Sequence, residues 1–357
     1  MSTDLVRIYD TDQARRTILH RPPVGDIRLT PTLARGLKRV FGEAIGLEEA
    51  VRRILVDVRQ RGEAAVIDWT EKIDGVRLPG LLVSPEEIEA GYQETPAKVQ
   101  EALHFAAERI RAFHQKQPAQ SWLDWRSGGG ALGQMVVPLE RVGVYAPGGS
   151  APYPSTLLMC AVAARVAGVK DIIVTTPGGR ENKIAPVLLA AARVAGVDAL
   201  YRIGGAQAVA ALAYGLKSLP RVDKIVGPGN IFVTLAKRQV YGLVDIDGLP
   251  GPTETLVIGD EEAEPGVVAA DLLAQAEHDT LASAILITPS KLLAKAVQLE
   301  IARQIESLSR APIIAESLQN QGGIVLCADL AEAIDLANLY GPEHLCLHVR
   351  EPWALVG

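Results

Sequence analysis

Ala163-Ala164-Arg165-Val166-Ala167-Gly168-Val169 is answered 28 residues later by Ala191-Ala192-Arg193-Val194-Ala195-Gly196-Val197. Each copy joins the end of an Ala-rich helix, a glycine that stops it and the approach to a new strand, at 172–176 and 199–203 respectively. Strand and helix recurring every ~30 residues make the βαβ unit, whose right-handed crossovers give a parallel sheet covered on both faces. The same grammar runs outward from the repeat. Upstream, Arg141–Tyr145 alternates as a strand, Ala146-Pro147-Gly148-Gly149-Ser150 breaks it, and 154–168 reads as an apolar helix. Downstream come a helix at 206–214, a strand at 222–226, a helix at 230–240 and a strand at 243–246.

Beyond Gly251-Pro252-Thr253-Glu254 a second α/β layer begins, with strands expected at 255–258, 283–288 and 323–327 and helices at 265–277, 290–308 and 329–339. Before the repeat, helical spacing places Val51, Ile54, Leu55 and Val58 on one helix face, and Leu103, Ala106, Ile110 and Phe113 on another. Residues 1–45 mix Pro, Gly and basic residues with weak periodicity and read as an extended N-terminal arm. The expected fold is α/β: two Rossmann-like parallel-sheet domains with a helical N-terminal region, one domain inserted into the other. Gly/Pro-rich stretches near 138–141 and 248–253 set the boundaries, giving an inserted domain at 141–252 and a discontinuous one at 46–140 plus 253–357.

Composition narrows the classes of function. Lys plus Arg at 36 against Asp plus Glu at 42 gives a net charge of −6 with the signs interspersed, which argues against nucleic acid as a partner. Cys160, Cys327 and Cys346 are far apart within apolar runs. Neither a disulfide framework nor a CxxC zinc site is expected, and a cytoplasmic location fits. The N-terminus carries no apolar core of a secretion signal, and no long charge-free apolar stretch occurs, so no membrane span is expected.

Three kinds of stretch carry candidate chemistry. Ala146–Ser150, Gly204-Gly205-Ala206-Gln207 and Gly227-Pro228-Gly229-Asn230 each follow a strand and precede a helix. There glycine lets backbone approach phosphate, and helix N-termini offer free N–H groups. Neither G-x-G-x-x-G nor G-x-x-x-x-G-K-S/T occurs, so these loops serve equally well as tight turns and helix caps, Asn230 being a sound cap. Asp271–Asp279 reads as a helix whose last turn brings Gln275 and His278 to one face, where an amide oxygen and an imidazole can share a metal ion. The plainer reading is a helix C-terminus where His278 favours the dipole. Zinc mostly takes four ligands, so others would come from elsewhere in the chain or from substrate. In Gly341-Pro342-Glu343-His344-Leu345 the carboxylate and imidazole sit on a loop at the start of a strand, as an acid/base pair or as a surface salt bridge. His104 and His114 read as structural or solvated, and His20 and His348 have no comparable context. Cys346 reads as a buried strand position.

Taken together, Tyr145-Ala-Pro-Gly-Gly-Ser, Gly204-Gly-Ala-Gln207, Gly227-Pro-Gly-Asn230, Gly251-Pro-Thr-Glu254, Gln275-Ala-Glu-His278-Asp and Gly341-Pro-Glu-His344-Leu resemble the histidinol dehydrogenase family, in the family's own order. The discontinuous domain rests in part on this resemblance. It implies a zinc-dependent, four-electron oxidation of L-histidinol to L-histidine with two NAD, through L-histidinaldehyde, as the last step of histidine biosynthesis. By motif, Tyr145, Gln207 and Asn230 would contact NAD, and Gln275 with His278 would bind Zn2+. Glu343 and His344 would be the acid/base pair, and Thr253, with Gln275, His278 and His344, would contact substrate. The family usually has Ser where this chain has Thr253. It also continues for several dozen residues past the Pro-Glu-His-Leu motif, supplying an aspartate and a histidine to zinc, a glutamate to substrate, and a segment that crosses to the partner subunit. The chain is therefore expected to lack part of the zinc ligand set, and a homodimer is expected of the full-length form. The alternatives are a relative that oxidises another small polar alcohol, and a catalytically inactive NAD-binding paralogue.

Overall fold

The computed structural model describes residues 5–20, 29, 31–117, 120–148, 152–179, 182–249 and 251–356, the side chains of residues 31 and 32 excepted. Gly149 and Ser150 of the first glycine loop lie outside the described residues. In chain order the strands are β1 (Ile8–Asp10), β2 (Trp122–Trp125), β3 (Ala131–Gln134), β4 (Arg141–Tyr145), β5 (Asp171–Thr176), β6 (Ala199–Arg202), β7 (Lys224–Val226), β8 (Asp245–Ile246), β9 (Glu254–Gly259), β10 (Ser283–Thr288), β11 (Gly323–Leu326) and β12 (His344–His348). Contacts divide the chain into one unit of Met1–Arg28 with Gly251–Gly357, and a second of Leu29–Pro250 set between those halves in sequence.

The first unit holds a sheet in the order β1-β11-β10-β9-β12, parallel throughout. Its central strands are continuous apolar runs because helices cover both faces. Val257, Ala284, Leu286 and Ile324 pack with the helices Pro265–Ala276, Lys291–Gln304 and Ala311–Gln321. Their alternating neighbours Leu256, Ile258, Ile285, Ile287 and Val325 pack with Leu330–Tyr340 on the other face.

The second unit holds a sheet in the order β6-β5-β4-β7-β8, also parallel throughout. Here the repeat at 163–169 and 191–197 does what its glycines predict. Gly168 (φ +88°) and Gly196 (φ +66°) stand just past the helices Pro154–Val166 and Pro186–Ala195, in the left-handed region that ends a helix without steric cost. Helix Leu47–Arg61 buries Val51, Ile54, Leu55 and Val58, the expected face. In helix Ala97–His114 the buried stripe runs through Leu103 and Ala107 with Ala106 and Ile110 beside it, whereas Phe113, expected on that stripe, is exposed one turn beyond its end.

Two expectations are revised. Residues 1–45 are not an extended arm: β1 joins the edge of the first sheet beside β11, and helices form at Thr11–Arg16 and Pro31–Phe41. The helices between 47 and 114 were expected with the last hundred residues, but their contacts are with the second unit. Leu47–Arg61, for instance, packs on the helices Gly205–Tyr214 and Ile231–Val240. The junction accordingly falls at 28/29 and not near 140, while the expected boundary at 248–253 contains the observed one. Outside those expectations, β2 and β3 form an antiparallel hairpin around the Gly128–Gly130 turn, with every strand residue exposed, Trp122 and Trp125 included.

Candidate active site

In the second unit the loops after β4, β6 and β7 meet at one edge, because parallel neighbours all end on the same side of their sheet. β4 ends in Tyr145, which is buried, and its hydroxyl accepts the Gly205 N–H at 3.1 Å. Burial pushes the phenol up to about 12, so it stays protonated at neutral pH. Two residues on, Gln207 is wholly buried: its Nε2 reaches Thr70 Oγ1 at 3.5 Å, and its Oε1 has no donor. A buried acceptor left without a donor costs about 1–3 kcal/mol. An amide or ribose hydroxyl of a dinucleotide is the chemistry that would satisfy it, so the residues present fit such a group.

The Gly227 loop packs directly on the end of β4. Gly227 has φ +109°, and a Cβ there would fall 2.2 Å from the Tyr145 carbonyl oxygen. Asn230 then caps helix Ile231–Val240, its Oδ1 accepting the N–H groups of Phe232 and Val233 at 3.1 and 3.2 Å. Beneath the loop lies a group with no signal in the sequence. Lys237 is 1% exposed, and its Nζ donates to the Gly227 carbonyl at 3.1 Å and to the Asp247 carboxylate. That carboxylate also accepts the N–H groups of Gly227 at 2.7 Å and Gly248 at 2.8 Å. Gly227→Ala is expected to destabilise the protein by about 1–3 kcal/mol for backbone strain alone, and more for the clash, because the obstacle is backbone that cannot rotate away. Urea denaturation checks it, and a midpoint within error of the parent would contradict it.

The first unit brings together Thr253, Gln275, Glu343 and His344. Helix Pro265–Ala276 runs against the strand direction, so its C-terminal turn lies at the amino ends of β9 and β12, the opposite sheet edge from that used in the second unit. Gln275 is buried and its Nε2 donates to Thr253 Oγ1 at 2.6 Å. The Thr253 hydroxyl has one proton, and it goes to Glu343 Oε2 at 2.8 Å. The same carboxylate oxygen takes the Glu254 N–H at 3.3 Å. His344 Nε2 stands 3.8 Å from it, beyond hydrogen-bond reach, with both side chains more than half exposed. The result is a one-way run, Gln275 to Thr253 to Glu343, that fixes the carboxylate and leaves the imidazole independent of it.

His278 differs from expectation. The helix closes at Ala276, and His278 lies on the bend that follows, exposed, with its N–H on the Gln275 carbonyl at 3.2 Å. Gln275 and His278 therefore lie on either side of a helix end, not at two points on one helix face. With its nitrogen committed to Thr253, the Gln275 amide offers Oε1 as its remaining ligand atom, and a neutral oxygen with an imidazole suits zinc. Among the described residues no group of three His, Cys, Asp or Glu forms a metal cage. The pair fits part of a zinc donor set.

His348, which has no local context in the sequence, gains one in the fold. Its Nε2 meets Asp271 Oδ2 at 2.7 Å, and Asp271 lies one turn before Gln275 on the same helix. Period-2 alternation along β12 was the available signal, since it sets His344, Cys346 and His348 on one face. Cys346 is half-buried there, and burial pushes its thiol up, away from thiolate character.

The histidinol dehydrogenase sequence model matches residues 38–357. Histidinol dehydrogenase of Deinococcus radiodurans is 51% identical over 323 residues, 90% of this chain and 73% of that protein. The enzyme of that name from Moorella thermoacetica is 52% identical over 314 residues, 87% and 74% of the two chains. Among solved structures, histidinol dehydrogenase from Elizabethkingia anophelis superposes with a TM-score of 0.87 at 31% identity, covering 99% of this chain and 78% of that one.

Proposed function

The chain belongs to the histidinol dehydrogenase family, and on that premise we propose that it oxidises L-histidinol to L-histidine through L-histidinaldehyde, with NAD and zinc, as the last step of histidine biosynthesis. When bound, NAD supplies the hydride acceptor for both oxidations, and zinc supplies a fixed anchor for the substrate's amine and imidazole nitrogens.

The remaining chemistry belongs to side chains. Gln275 Oε1 and His278 would hold the metal, and Tyr145, Gln207 and Asn230 would hold the dinucleotide. His344 takes the hydroxyl proton as hydride leaves the alcohol carbon, giving the aldehyde. Glu343 then takes a proton from water as that water's oxygen bonds the aldehyde carbon, and the resulting hydrate anion gives up a second hydride to leave the carboxylic acid, whose proton passes to solvent. The observation that carries this reading is the hydrogen-bonded run from Gln275 through Thr253 to Glu343, which ties a metal-ligand amide to the carboxylate that must activate water.

The test is NADH formation from L-histidinol and NAD, with the metal removed and returned. Two NADH per L-histidinol, lost on chelation and recovered with zinc, is the expected result. A single NADH per substrate, or faster turnover of another small polar alcohol, would overturn the reading.

A further inference from the structure

β12 is an edge strand. It pairs with β9 on one side, and none of its residues is fully buried, in contrast to the central strands of its sheet. Its amino end carries Glu343 and His344, so its height against helix Pro265–Ala276 sets where those groups stand relative to Gln275. Among the described residues, one side-chain hydrogen bond joins the strand to that helix: His348 Nε2 to Asp271 Oδ2 at 2.7 Å. The two side chains are 23% and 39% exposed. Backbone fastens the same end of the strand to β9, through Asp260 N–H on the His348 carbonyl at 3.2 Å and Arg350 N–H on Asp260 Oδ2 at 2.8 Å. Those bonds fix β12 within the sheet. Among the described residues the His348–Asp271 bond is the direct side-chain hydrogen bond from strand to helix at this end, beside the apolar packing of Cys346.

We propose that His348 and Asp271 are positioning residues, which hold the strand bearing Glu343 and His344 at constant spacing from the helix bearing Gln275. The inference rests on the roles given to those residues above. Asp271 and Gln275 are four apart, one turn of the same helix, so the latch and the metal-ligand amide move as one body. Likewise His348 and His344 are four apart on one face of one strand. Two rigid elements are thus joined at one end by the latch and at the other by the Gln275–Thr253–Glu343 run.

The experiment compares the full chain with His348→Leu and His348→Gln, by amide hydrogen exchange and by steady-state NADH formation. His348→Leu removes the bond at similar bulk. It is expected to lower protection of the 344–348 amides about tenfold while 255–258 and 283–288 hold theirs, and to lower kcat with little change in KM for NAD. Glutamine can still donate to Asp271, so His348→Gln is expected to restore both. Wild-type exchange at 344–348 in His348→Leu would overturn the proposal, as would an equal loss across the whole sheet, which marks general destabilisation. A parent chain inactive on L-histidinol would overturn the functional reading instead, and the exchange arm would still decide the latch.

Discussion

His344→Asn is expected to lower kcat for L-histidinol by about 10²–10⁴-fold, the usual contribution of a positioned general base, with a smaller change in KM. Asparagine keeps the polarity and approximate size of the side chain but cannot take the alcohol proton. Glu343→Gln should behave differently, and the geometry says why. Glu343 is held by Thr253 Oγ1 and the Glu254 N–H, while His344 Nε2 stands 3.8 Å away and shares no hydrogen bond with it. On the proposed mechanism the two groups serve separate proton transfers. Under single-turnover conditions Glu343→Gln is expected to release one NADH per site at near-parent rate and the second about 10²–10⁴-fold slower. His344→Asn slows the first. Equal slowing of both phases by both substitutions would mean that the two act as one coupled unit, against the distances. His344→Asn within threefold of the parent would remove His344 as the base.

Legibility followed the length of the signal. The repeat at 163–169 and 191–197 was readable because two helix ends, two glycines and two strands repeat the same offsets, and the glycines took the left-handed conformation that their position requires. β1 was unreadable because three residues cannot display an alternation. The β2–β3 hairpin had a signal, Gly128-Gly129-Gly130 between two runs with apolar residues, but runs of four residues each are too short to display a clear alternation. Site residues carried by local motifs, such as Glu343 with His344 or Gln275 with His278, were legible as candidates. Their partners were not, since Thr253 reaches Glu343 across 90 positions and His348 reaches Asp271 across 77. Only the sheet register, which sets His344 beside Thr255, brings such pairs together.

Lys237 was the least legible group of all, and it supports the second large effect. A lysine in helix Ile231–Val240 reads as a solvent-facing residue, yet this one is 1% exposed beneath the Gly227 loop. Asp247→Ala takes away its counter-charge and leaves the ammonium with the Gly227 carbonyl, while Gly227 N–H and Gly248 N–H lose their acceptor. Breaking a buried pair from the side that strands a charge costs about 3–5 kcal/mol. Lys237→Met should cost much less, because it inserts an unbranched apolar chain of similar length and leaves Asp247, itself 37% exposed, free to take water and still hold Gly227. The double variant should then be more stable than Asp247→Ala alone, a coupling that a double-mutant cycle in urea measures directly. Weakened dinucleotide binding is expected to accompany Asp247→Ala, since the released loop is the one that ends in Asn230 and packs on Tyr145. If Asp247→Ala unfolds within about 1 kcal/mol of the parent, Lys237 must find another partner at no cost, and the loop would not depend on this pair.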